Sequence, residues 1–95
     1  MALVIMPPSG ITTSSSDLIA AFAEDECVGV DTLYSTSVGW RGILLVQEPT
    51  TETIAMQIRY YSGSEKRIFV STSTIDFKND GSIGTIDEPL VLMWK

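Results

Sequence analysis

Thr53-Ile54-Ala55-Met56-Gln57-Ile58-Arg59-Tyr60-Tyr61 decides the fold class of this chain. Ile54, Met56, Ile58 and Tyr60 fall on one face of an extended backbone, and Thr53, Gln57 and Arg59 on the other. That period-two alternation belongs to a half-buried β-strand. The neighbouring stretches read the same way. Val38-Gly39-Trp40-Arg41-Gly42 opens a run to Gln47 that Pro49 ends, and Arg67–Thr72 follows Ser62-Gly63-Ser64-Glu65-Lys66, which has the composition of a hairpin connection. Ile75 and Phe77 alternate ahead of Asn79-Asp80-Gly81, the strongest turn signal in the chain, because Asp-Gly tolerates the positive φ of a tight turn. Ala2–Met6 reads as a first strand stopped by Pro7-Pro8, Ile11–Ser16 as a Ser/Thr-rich surface loop, and Leu90–Trp94 as a last strand after Glu88-Pro89. About seven or eight short strands at this spacing predict an all-β, immunoglobulin-like β-sandwich, mainly antiparallel, with residues 1–95 as a single domain.

Asp17–Glu26 is the one segment open to two readings. Leu-Ile-Ala-Ala-Phe-Ala is helix-prone, and Ser16 or Asp17 would cap it. Glu24-Asp25-Glu26 would then place three acids at a helix C-terminus, where the dipole disfavours them. The alternative is a hairpin, with Leu18–Ala23 and Cys27–Leu33 as strands and Glu24-Asp25 as the turn.

The totals narrow the function. Ninety-five residues, 44% of them hydrophobic, suffice for one core without disulfide staples. No apolar stretch approaches the ~20 residues of a membrane-spanning helix. Twelve acidic against six basic residues give a net charge of −6, and only Lys66 and Arg67 are adjacent cations. Nucleic acid and anionic membrane surfaces are therefore poor partners. The N-terminal Met-Ala-Leu-Val-Ile-Met has no basic region and is too short for a signal-peptide core. The single cysteine, Cys27, lies in an apolar context and is expected to be a small buried hydrophobe.

Chemistry-bearing patterns are few. With no histidine and one cysteine, the usual nucleophile–base pairs and zinc sites have no residues to use. Asp87-Glu88 and Glu24/Glu26 are acidic pairs of the kind that usually decorate a solvated turn. Asp76–Asp87 overlays the twelve-residue calcium loop, with acids at positions one, five and twelve and Gly81 at six. Lys78, however, occupies position three, where an oxygen ligand is required, so an acidic β-turn is the better account. No enzyme activity, metal or cofactor is expected. Among the aromatics, Tyr61 would face outward beside Arg59 if Tyr60 faces the core. Trp40, Tyr61 and Tyr34 are thus the candidate ligand-binding residues, as a platform on which a sugar ring could stack.

Asp17-Leu18-Ile19-Ala20-Ala21-Phe22-Ala23-Glu24-Asp25-Glu26-Cys27-Val28-Gly29 resembles a signature, roughly D-x-I-A-A-F-x-x-x-E-C-x-G, of small β-sandwich modules in surface lipoproteins and secreted proteins of Bacteroidetes. Gly42–Val46, Ile54–Tyr61 and Ile83-Gly84-Thr85-Ile86-Asp87-Glu88-Pro89-Leu90 resemble the module's later strands, in order. The chain departs from the pattern at Val28, where a basic residue is frequent. The resemblance implies a hairpin over residues 18–30, an extracellular or outer-membrane-surface setting, and a module of a larger precursor. It supplies no catalytic residues. The expected function is a non-catalytic interaction or spacer module with a protein or glycan partner at the cell surface; the alternative is a carbohydrate-binding module. The expected core comprises Val4, Ile19, Phe22, Val28, Leu44, Val46, Ile54, Met56, Ile58, Phe77, Val91 and Met93.

Overall fold

The computed structural model describes residues 1–95. The chain is all-β, without a helix: β1 (Ala2–Ile5), β2 (Leu18–Ala23), β3 (Glu26–Thr36), β4 (Gly39–Leu45), β5 (Ala55–Ser62), β6 (Arg67–Val70), β7 (Ile75–Asp76) and β8 (Ser82–Ile83). They form one mixed sheet in the order β6-β5-β2-β3-β4-β1-β8, with β7 continuing the β6 side of β5. Every pairing is antiparallel except β1 with β8. No helix is long and apolar enough to cross a membrane.

β3 is the hinge of the sheet. Its first half pairs with β2, from Ala23↔Glu26 to Leu18↔Thr32, and its second half with β4, from Leu33↔Gly42 to Thr36↔Gly39. The two halves of the sheet thereby enclose one core. Leu3, Ile5, Leu44 and Val46 enter it from one side, and Ile19, Ala21, Met56, Ile58 and Tyr60 from the other. Gly42 marks the closest approach, because a Cβ there would meet the Ile19 side chain at 2.8 Å. The C-terminal segment then joins the outer ends of the sheet. The Leu90 amide donates to Val4 and the Lys95 amide to Val70, at 2.8 and 2.9 Å, so one extended stretch borders β1 at its start and β6 at its end.

Asp17–Glu26 is the hairpin, and its turn places Glu24 at φ 55°. A β-bulge follows. The register runs Ala21↔Gly29 and then Phe22↔Cys27, so Val28 is the extra residue. The slip turns Val28 into the core and Cys27 outward. Cys27 is accordingly exposed, not the buried thiol expected from its apolar neighbours.

Ile19, Val28, Leu44, Val46, Met56 and Ile58 are buried as expected, and Phe77 packs at the edge of the core. The first and last strands have the opposite parity. Leu3 and Ile5 are buried while Val4 is half-buried; Leu90, Leu92 and Trp94 pack inward while Val91 and Met93 are about three-quarters exposed (70% and 74%). Ile54 precedes the first paired residue of β5 and is exposed, and Phe22 is half-buried on the outer face. Leu90–Trp94 touches its neighbours through isolated bridges at Leu90 and Trp94 rather than as a full strand.

Candidate functional site

β2 has no polar residue to mark a solvent face. Leu18, Ala20 and Phe22 alternate with the core residues Ile19, Ala21 and Ala23, so both faces of this central strand are apolar. Registration extends that outer face sideways. Leu18 lies across from Tyr61, which lies across from Ile68; Ala20 lies between Val30 and Arg59. Residues paired across an antiparallel sheet share a face. The product is an apolar strip across four strands, with Leu18 and Tyr61 each 41% exposed, Val30 58% and Ile68 56%. Between these side chains runs a shallow groove of about 170 Å³, floored by Ala20 and Phe22. The Arg59 guanidinium stacks on the Phe22 ring, 4.1 Å from its centroid, and donates from Nε to Gln57 Oε1 at 2.9 Å. Such stacking is typical of a cation over an aromatic face.

The three aromatics singled out from the sequence do not converge. Tyr61 is in the strip. Tyr34 is exposed on β3, beyond the end of β2, and donates its hydroxyl to Asp31 Oδ2 at 2.9 Å. That bond to a carboxylate holds the Tyr34 phenol protonated above its ordinary range. Tyr34 is across from Arg41, and Trp40 across from Ser35, so Trp40 takes the other face of β4 and packs against the core. Tyr61 and Tyr34 therefore share the outer surface, two strands apart and offset by two residues along them, while Trp40 faces inward.

Asp17 is a buried polar centre at one end of the strip. Its carboxylate accepts bonds from the Tyr60 hydroxyl at 2.6 Å, the Gly63 amide at 3.0 Å, and the Ser14 amide and hydroxyl, both at 3.3 Å. Burial alone would raise its pKa, but these bonds outweigh it and the carboxyl lies below its ordinary range. Burial pushes the Tyr60 phenol far above its ordinary range, and the Asp17 carboxylate adds to the shift. The pair ties the loop before β2 to the turn after β5. Arg41 is buried too, capping backbone carbonyls: Nε donates to Ile86 at 2.8 Å and Nη1 to Trp40 at 2.8 Å. It thereby pins the loop after β8.

The segment 76–87 is spread over β7, a turn and β8. Asp76 pairs with Ala55 and Ile83 with Leu3, and the Gly81 amide closes the turn onto Lys78. No three Asp, Glu, His or Cys side chains gather there or elsewhere in an arrangement suited to a metal ion.

No family model, curated protein or solved structure matches this chain.

Proposed function

We propose that this chain is a non-catalytic interaction module whose working surface is the outer face of the β6-β5-β2-β3 half of the sheet. The observation that carries this reading is the exposure of Leu18, Val30, Tyr61 and Ile68 in one strip. Four large side chains about half exposed side by side make a contiguous apolar surface of the order of a few hundred Å², the size at which a patch on a monomer is often functional. Roughly 800 Å² per partner is usual for a stable complex, so the strip suits a peptide or a transient partner better than a permanent dimer. Aliphatic side chains outnumber the aromatics Tyr61 and Phe22, and the Phe22 ring is covered by Arg59, which favours a protein partner over a sugar ring. The resemblance to surface modules supports an extracytoplasmic setting, within a larger precursor. Together with the strand number, the antiparallel pairing and the single shared core, it also supports an immunoglobulin-like sandwich.

The second reading is carbohydrate binding, favoured by Tyr61 and Tyr34 sharing the outer surface. An amide chemical-shift titration separates the two. An uncharged apolar peptide is expected to shift Leu18, Val30, Tyr61 and Ile68, with no response to neutral oligosaccharides at millimolar concentration. Sugar-induced shifts at Tyr61 and Tyr34, without a peptide response, would replace the first reading with the second.

A further inference from the structure

We infer that the groove on the outer face takes a partner segment in which an apolar residue and a carboxylate stand two positions apart, the carboxylate meeting Arg59. This rests on the interaction-module reading and specifies the partner's chemistry.

The register of the sheet accounts for the groove. Side chains on the outer face fall in rows across the strands, and Leu18, Tyr61 and Ile68 form one of them. Val30, Ala20 and Arg59 form the next, and Phe22 and Gln57 a third. The middle row has only a methyl group at its centre, Ala20, between the large side chains of Leu18 and Phe22. The Arg59 side chain leaves that row and lies along the sheet, its guanidinium 4.1 Å from the Phe22 ring centroid. The space over Ala20 is thereby left as a depression of about 170 Å³. Leu18, Tyr61 and Ile68 wall it on one side and the covered Phe22 ring on the other.

The same arrangement prepares Arg59 for an anion. The Phe22 ring supports one face of the guanidinium, and Gln57 Oε1 accepts from Nε at 2.9 Å, so its orientation is fixed in advance. A guanidinium carries five N–H donors in a planar fork. With Nε engaged, the Nη donors present the end that matches the two oxygens of a carboxylate. The chain's own acids on the adjoining hairpin hold other groups. Glu24 accepts from the Thr53 hydroxyl, Glu26 from Thr50 and Asp31 from Tyr34. Arg59 is the one charged residue lining the groove, and its bond within the chain is to a neutral amide. An uncharged segment can fill the groove, but it takes water from the guanidinium without replacing it. A carboxylate beside an apolar side chain satisfies both.

The spacing follows from the strand. Ala20 and Phe22 are two residues apart on β2, roughly 6.5 Å along it. In an extended peptide laid along β2, the side chains on one side repeat at that same interval. One apolar side chain enters the depression over Ala20 while the acid two positions along reaches the guanidinium over Phe22.

The test titrates the whole ¹⁵N-labelled chain with blocked pentapeptides in which one Thr separates Phe from Glu, in both orders, and with their Gln counterparts. In at least one order the Glu peptide is expected to bind fivefold or more tightly than its Gln counterpart. It should shift the Arg59 Nε–H resonance together with Val30 and Tyr61. Placing Glu next to Phe should erase the advantage, because adjacent side chains point to opposite sides. Arg59→Met, which keeps an apolar stem without the charge, should erase it too. Equal affinity for Glu and Gln peptides, with the strip still shifting, would overturn the inference and leave the outer-face reading standing. A Glu preference that persists in Arg59→Met or in the adjacent isomer would overturn it by placing the charge contact elsewhere. Decanoate binding more tightly than either Glu peptide would assign the groove to an acyl chain and overturn it. Strip shifts that grow with protein concentration alone would assign it to a second copy, with the same consequence. No shift on the outer face with any peptide would remove both readings.

Discussion

Asp17→Ala is expected to destabilise the chain by about 3–4 kcal/mol, and the loss should depend on pH in a defined direction. Of the four bonds to the carboxylate, the Tyr60 and Gly63 bonds are the shortest, at 2.6 and 3.0 Å. Hydrogen bonds to a charged group contribute roughly 1.5–3 kcal/mol each, and the Ser14 donors, at 3.3 Å, can turn to water. Two bonds near the lower end of that range give the total. Tyr60→Phe removes one of them and should cost about 1.5–2 kcal/mol, leaving a coupling of at least ~1 kcal/mol in a double-mutant cycle. The folded Asp17 carboxyl lies below its ordinary value of 3.8. Its contribution is therefore complete above that value and is lost as the pH falls through the folded pKa. Tyr60 titrates above its ordinary value of 10.0, so its contribution is complete below pH 10 and declines as the pH rises beyond it. Urea unfolding followed by tryptophan fluorescence reads all of these. The gap between wild type and Asp17→Ala should be constant near neutrality and narrow below pH 3.8. A loss under ~1 kcal/mol, or a gap independent of pH into the acid range, would refute the reasoning.

Leu3→Ala should cost about 3 kcal/mol by cavity formation and Val4→Ala under ~1, a contrast in denaturant midpoints that checks the register of β1. Gly84 has φ 82°, and a Cβ there would run into the Val4 carbonyl oxygen, so Gly84→Ala should lower stability by about 2 kcal/mol or more. Arg41→Met leaves the Ile86 and Trp40 carbonyls without their donor. A loss of about 1–3 kcal/mol is expected, with faster amide exchange across residues 84–88, whose loop Arg41 holds.

The inward face of a strand was legible wherever polar residues break an apolar run. In β5, Gln57 and Arg59 mark the outer face, and Met56, Ile58 and Tyr60 are buried as the alternation predicts. Ala2–Met6 and Leu90–Trp94 contain no such marker, so nothing in them distinguishes inward from outward, and their parity came out reversed. Cys27 failed for another reason: the bulge at Val28 shifts the phase of β3, and a one-residue slip exchanges the faces. Residue-level rules left the hairpin over residues 18–30 undecided against a helix, because Leu-Ile-Ala-Ala-Phe-Ala suits both.

The candidate site was visible only in part. Tyr61 could be placed outside from its neighbour Tyr60. The rest of the strip had one available signal: β2 is apolar at every position, which means two covered faces or one covered and one available. Val30 and Ile68 join the strip through pairings between distant segments, and no local pattern encodes those. Trp40 carried the opposite lesson. An aromatic after a glycine gives no parity, and its partner Ser35 shares the inner face.

The decisive measurement is the binding isotherm of the uncharged apolar peptide for wild type and for a Val30→Thr/Ile68→Thr variant, read by amide shifts. Both positions are more than half exposed, so the variant should unfold at the same denaturant midpoint while binding at least tenfold more weakly. Unchanged affinity in a folded variant would contradict the assignment of this face as the surface that meets a partner.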